Sequence, residues 1–148
     1  MKVSELRIGN IVSVNDEVKT RLEEEDYLIN IFEVDELKGD GDISVYNKIE
    51  NLYEFLNIDE IEPIELTEYW LLKAGFSAKE YKSGYIGKDF ASGQMTLSFV
   101  LCNQFAKGDW NDCYTFDLRD SMFKSLRYVH ELQNLYFLLT NSELQFVS

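Results

Sequence analysis

His130 is the only histidine in the chain, and Cys102 and Cys113 are the only cysteines. The inventory for nucleophilic or zinc chemistry is therefore small. A histidine base needs a positioned partner, and Gln133 and Asn134, which share its side of the last helix, do not supply one. Cys113 with His130 makes a formal nucleophile and base, but nothing in their spacing links the two. There is no CxxC and no HxxxH, so a zinc site of the usual kind is not expected. Neither G-x-x-x-x-G-K-[ST] nor G-x-G-x-x-G occurs, which removes the common phosphate-cradling loops.

Carboxylates are abundant, at 27 Asp and Glu against 14 Lys and Arg. Glu80-Tyr81-Lys82 fits the E-x-K of metal-dependent nucleases, with Glu62 or Glu65 as an upstream acid. In such sites a carboxylate and a lysine flank a metal-bound water. Glu17-Val18-Lys19 fits the same short pattern, which lowers its value. The run from Asp35 to Asp42 looks calcium-like, but Lys38 falls where an EF-hand needs an oxygen ligand if Gly41 is the loop glycine. Asp109, Asp112, Asp117 and Asp120 read as solvated turn carboxylates. No cofactor or resident metal is expected.

The elements that position these residues point to an α+β chain. Leu6 to Val14 reads as a strand with Ile8, Val12 and Val14 on one face, followed by Asn15-Asp16 as a turn. Tyr27 to Val34 and Ile43 to Tyr46 are further strands, joined through the hairpin signal Gly39-Asp40-Gly41-Asp42. Glu23-Glu24-Glu25-Asp26 falls at a loop or strand edge. Residues 48–57 carry Ile49, Leu52, Tyr53 and Leu56 at helical spacing, and Ile58 to Ile64 reads as extended. The first half thus reads as a small, curled β module, with an SH3-like barrel as one form it could take.

In the second half, Thr67 and Gly75 bracket a helix over 68–74. Strands follow at Tyr81 to Ile86, Met95 to Cys102, Trp110 to Phe116 and Met122 to Leu126. Tyr128 to Leu139 is a helix with Val129, Leu132, Leu135, Tyr136 and Leu139 as its apolar face, ended by Asn141. His130, Gln133 and Asn134 make a polar stripe that faces either solvent, an internal network or a partner. Leu144 to Val147 adds a short strand. The curled β module is thus expected to be followed by a mixed antiparallel sheet with two helices. Most aromatics read as core, with Tyr81 or Tyr85 as possible interface anchors.

The net charge of −13 is unevenly spread. Residues 1–66 carry 18 acidic and 6 basic side chains, or −12, and residues 67–148 carry 9 and 8, or −1. Drawn at that boundary, the chain has an acidic β-rich half and a near-neutral α+β half, as two small domains or one continuous one. Binding to phosphate backbones depends on Lys and Arg, so direct nucleic-acid binding is not expected of such a chain. An acidic surface attracts basic ones and speeds association with them. The residues expected to meet such a partner are Glu23, Glu24, Glu25, Asp26, Asp35, Glu36, Asp40, Asp42, Asp59 and Glu60. The opening residues Met1-Lys2-Val3-Ser4-Glu5 lack the apolar run of a signal peptide, and no run of about eighteen apolar residues occurs. Together with two unpaired cysteines, that predicts a cytoplasmic protein with reduced thiols.

Three stretches carry a resemblance: Leu6-Arg7-Ile8-Gly9-Asn10, the run from Ile61 to Phe76, and the run from Tyr128 to Thr140. They resemble a family of small uncharacterised proteins encoded by phages, prophages and mobile elements of Bacteroidetes bacteria. The family more often has glutamine at the place of Glu131 and glycine at that of Asn141. The resemblance implies a setting inside a bacterial host and carries over neither an activity nor functional residues. With the charge, it yields the expected function: a non-enzymatic, acidic protein-binding factor, inhibiting a host nucleic-acid-binding defence complex in the manner of an anti-CRISPR protein. A phage structural or assembly accessory and a metal-dependent nuclease are the alternatives.

Overall fold

The computed structural model describes residues 2–25, 30–39, 41–78, 85–92, 95–102, 114–118 and 121–147, with the backbone alone over 78–125. The chain divides into two compact units, Met1–Ile64 and Glu65–Ser148. The fold is α+β, with a curled five-stranded antiparallel sheet in the first unit and a five-stranded antiparallel sheet with two helices in the second.

In the first unit the strands are β1 (Ile11–Val14), β2 (Ile31–Leu37), β3 (Asp42–Asn47), β4 (Leu52–Asn57) and β5 (Ile61–Glu62), ordered β4-β3-β2-β1-β5. This order is compatible with SH3-like connectivity. The alternation of apolar residues sends Val12, Val14, Phe32, Val34, Ile43, Val45, Leu56 and Ile61 to one face, where they form the core. A helix, α1 (Asp16–Glu24), adds Val18 and Leu22 to that core. A bulge at Asp35, between the Val34–Val45 and Glu36–Ser44 pairs, bends β2 and helps the sheet to curl.

The first unit departs from the sequence expectation at three places. The first strand begins at Ile11 and not at Leu6, because a turn precedes it. Gly9 takes φ +87° and donates to the Val34 carbonyl, while the Asn10 side chain accepts from the Arg7 N–H at 2.8 Å. Ile8 is left exposed. Second, Asn15 is an N-cap and not a turn residue: its side chain accepts from the Val18 N–H at 3.0 Å and starts α1. Glu23, Glu24 and Glu25 therefore end a helix and do not lie on a loop or strand edge. Third, residues 48–57 form a turn and β4 in place of a helix.

The cause of that third difference is Asn47. Buried at the end of β3, it donates to the Ile31 carbonyl at 2.7 Å and accepts from the N–H groups of Ile49 and Glu50. Asn51 then takes φ +52° and returns the chain as β4. A side chain that holds three backbone groups overrides the helical spacing of Ile49, Leu52, Tyr53 and Leu56. Asn47→Ala should lower the unfolding free energy of this unit by about 2 kcal/mol, read as a shift in urea midpoint. A change below about 0.5 kcal/mol would mean the turn is set by its other residues.

In the second unit, α2 (Glu68–Lys73) ends in a Schellman motif. The Phe76 N–H bonds the Leu71 carbonyl and the Gly75 N–H bonds that of Leu72, both at 2.9 Å, with Gly75 at φ +78° and Phe76 buried. The strands β6 (Ser77–Ala78), β7 (Tyr85–Ser92), β8 (Met95–Cys102), β9 (Tyr114–Leu118) and β10 (Ser121–Leu126) pair in sequence order as an antiparallel meander. The last helix, α3 (Val129–Thr140), buries Val129, Leu132, Leu135 and Tyr136, and Asn141 ends it in the left-handed conformation. Leu139, expected on the apolar face, is exposed. Residues 143–147 are irregular and not a strand: Leu144 is buried, and the Val147 N–H bonds the Lys73 carbonyl at 2.8 Å. Among the described residues no helix is long and apolar enough to cross a membrane.

Candidate protein-docking surface

The acidic residues of the first unit are held in different places by different elements. Glu23 and Glu24 lie on the last turn of α1 and Glu25 caps it, all exposed. Carboxylates at this end oppose the helix dipole, where cations would be favoured. Asp35 and Glu36 are exposed at the β2 bulge. Asp42 opens β3 and is paired across to Asn57. The Gly41 carbonyl accepts from the Ile58 N–H at 3.0 Å, which sets the hairpin beside the 3-10 turn Ile58–Glu60. In that turn Asp59 is exposed, and the half-buried Glu60 carboxylate accepts from the Asn57 N–H at 2.7 Å. Asp26 and Asp40 lie outside the described residues.

These carboxylates do not form one patch. The Asn15 N–H bonds the Glu60 carbonyl at 2.9 Å, so the 3-10 turn meets the start of α1, where Asp16 and Glu17 add further charge. Glu23 to Glu25 lie at the other end of the helix, about 13 Å away at the usual rise per residue. The first unit as a whole holds 17 acidic and 6 basic residues, a net −11, against 10 and 8, or −2, in the second.

Three of its cations are committed to carboxylates, among them Lys19, whose Nζ bonds Asp16 Oδ1 at 3.2 Å. Arg21 Nη2 bonds Glu54 Oε2 at 2.7 Å, and Lys48 Nζ bonds Glu33 Oε2 at 2.6 Å. The Glu33 hydrogen bond, and then its charge, hold the Lys48 pKa above the usual 10.5. Since the folded value is raised, the pair's contribution is present at neutral pH and is lost as pH rises through that raised value. Lys48 is exposed, so solvent screening keeps the contribution small.

The face of this sheet opposite α1 carries an aromatic row. Tyr46 on β3 stacks on Tyr53 of β4 at 4.4 Å, and Phe55 follows Tyr53 on the same face. Tyr53 is 52% exposed and Phe55 71%. Lys38 Nζ lies 5.4 Å from the Phe55 ring centre. This row escapes the helical reading of residues 48–57, although Tyr53-Glu54-Phe55 already shows the period-two spacing of a strand.

The chemical candidates fare differently. Glu17 and Lys19 sit two apart on α1, so they point to different sides of the helix and cannot flank one metal. Glu80, Tyr81 and Lys82 lie outside the described residues, as do Cys113, Asp109, Asp112 and Asp120. The side chains of Tyr85, Cys102 and Asp117 are likewise outside the description. His130 and Gln133 are buried, and His130 stacks against Tyr128 at 5.7 Å, so the expected polar stripe does not open to solvent there. Among the described residues no three His, Cys, Asp or Glu side chains converge as a metal would require. Comparison with protein-family models, curated proteins and solved structures finds no match.

Proposed function

We propose that the chain is a non-enzymatic, acidic protein-binding factor of phage or mobile-element origin that acts in the cytoplasm of a bacterial host. Its partner presents a basic surface, and a host nucleic-acid-binding defence complex is the partner class that fits the setting. The single observation that carries this reading is the net −11 held on the first unit. A field of that sign steers basic partners into contact and repels nucleic acid itself. Occupying the basic groove of such a complex would deny it to DNA or RNA, which is inhibition without catalysis.

The test is affinity capture from host lysate at about 50 and about 300 mM salt, with partners identified by mass spectrometry. Screening shortens the reach of exposed charges over this range. The expected result is a partner of high isoelectric point whose recovery falls by about tenfold or more at the higher salt. A partner recovered equally at both concentrations would count against electrostatic docking. The exposed row of Tyr53 and Phe55 supports a second reading, a phage structural or assembly accessory held by apolar contacts. Recovery of the chain from purified virions would favour that alternative.

A further inference from the structure

We infer that the outer edge of β4 is the docking element of the first unit, and that it takes an extended basic segment of a partner protein as an added strand. The inference rests on the protein-binding reading above and gives it a location. The first unit's sheet has two edges, and they differ. The β5 edge has only two residues and is followed by Pro63, which has no N–H to offer. Short strands and prolines are the ordinary ways of closing an edge. The β4 edge has six residues with neither proline nor glycine, so it presents a row of backbone groups for a further strand.

The side chains on β4 indicate what that strand carries. Tyr53 and Phe55 stand exposed on one face, while Glu54 between them points to the opposite face. A strand laid along β4 would place alternate residues beside the two aromatic rings and the others beside Leu52 and Leu56, on the face where Glu54 is already bonded to Arg21. Lys38 already rests over Phe55, so this ring stands where a cation is attracted. Glu50 is exposed just before β4 and Asp59 just after it. A second copy of this chain is the poorer occupant. It would bring its own −11 and set like charges against each other across the new pairing. Arginine or lysine beside the rings, alternating with apolar residues beside Leu52 and Leu56, satisfies both faces.

Two labelled peptides of about seven residues, enough to cover a strand of this length, test the assignment by fluorescence anisotropy with the full chain. One alternates arginine with valine, and the other sets the same number of arginines around consecutive prolines. Both carry the same charge, but consecutive prolines leave the second without N–H groups on either side to join a sheet. The valine peptide should bind about tenfold or more tightly than the proline peptide. The Tyr53→Ser/Phe55→Ser variant, which changes no charge, should lose most of that advantage and leave the proline peptide unaffected. Equal binding of the two peptides overturns the edge and leaves electrostatic docking standing. Preferential binding of the valine peptide that ignores salt keeps the edge and removes electrostatic docking. Binding of neither peptide overturns the edge, because backbone pairing tolerates many side chains. A dimer in sedimentation that the double variant abolishes would make the occupant a second copy and overturn the basic segment.

Discussion

Phe32→Ala should destabilise the first unit by about 3–5 kcal/mol, while Phe55→Ala should change its stability by less than about 0.5 kcal/mol. Both residues are phenylalanines in strands of one sheet, but Phe32 lies on the core face of interior β2 and Phe55 on the outer face of edge strand β4. Phe32 is 1% exposed and is packed within the core formed by β1 to β5 and α1. Removing its ring forfeits the transfer energy and leaves a cavity in a close-packed interior. Phe55 is 71% exposed on the opposite face. A unit of this size has a total stability of only about 3–10 kcal/mol at the usual value per residue. The Phe32 change should therefore remove most of it. Hydrogen exchange at the amides of β1 to β3 would read the loss, and protection in α3 would read the second unit separately. A cost below about 1 kcal/mol for Phe32→Ala would mean that this face does not carry the unit's stability.

What the sequence made legible follows from how local each signal is. The Gly39–Asp42 hairpin, the Gly75 stop of α2 and the extent of α3 depend on residues within a few positions, and each is present in the fold, whereas Thr67 stands at the N-cap of α2 without a side-chain cap hydrogen bond. The course of α1 was hidden for the opposite reason. It buries only Val18 and Leu22 and otherwise carries charge, so its amphipathic pattern is faint. Its start depends on Asn15, which also serves as a turn residue elsewhere. Residues 48–57 misled because Asn47 reaches back to the Ile31 carbonyl, sixteen positions away. No local window contains that contact. By residue type His130 and Gln133 belong to the polar side of α3, yet both are buried in the second unit. For the candidate surface, the acids could be named individually from the sequence. That Glu23 to Glu25 lie at one end of α1 and Asp59 and Glu60 near the other needed the helix and the Asn15–Glu60 bond, and that Tyr53 and Phe55 line an open edge needed the pairing of β3 with β4.

Reversing Glu23, Glu24, Glu25 and Asp26 to lysine separates the effect of charge on folding from its effect on binding, because the two are expected to move in opposite directions. The change shifts the net charge from −13 by eight units. Glu23 and Glu24 end α1 and Glu25 caps it, so lysines there would meet the negative end of the helix dipole. Each such exchange is worth about 0.3–1 kcal/mol at low salt. Thermal stability should therefore hold or rise. Capture of a basic partner should instead fall by about tenfold to a hundredfold at about 50 mM salt, and the loss should shrink as salt rises. A variant that loses binding by unfolding would show a lowered melting temperature, so the two causes are distinguishable. Asp16→Lys/Glu17→Lys serves as the counterpart at the other end of the helix, where acidic residues suit the dipole and lysines do not. It should lower stability. Its effect on capture tells whether the partner reads the whole field of the first unit or only the Glu23–Glu25 end. Capture that survives both sets of reversals unchanged would sink electrostatic docking. The aromatic row and open edge of β4 would then be the remaining means of engaging a partner.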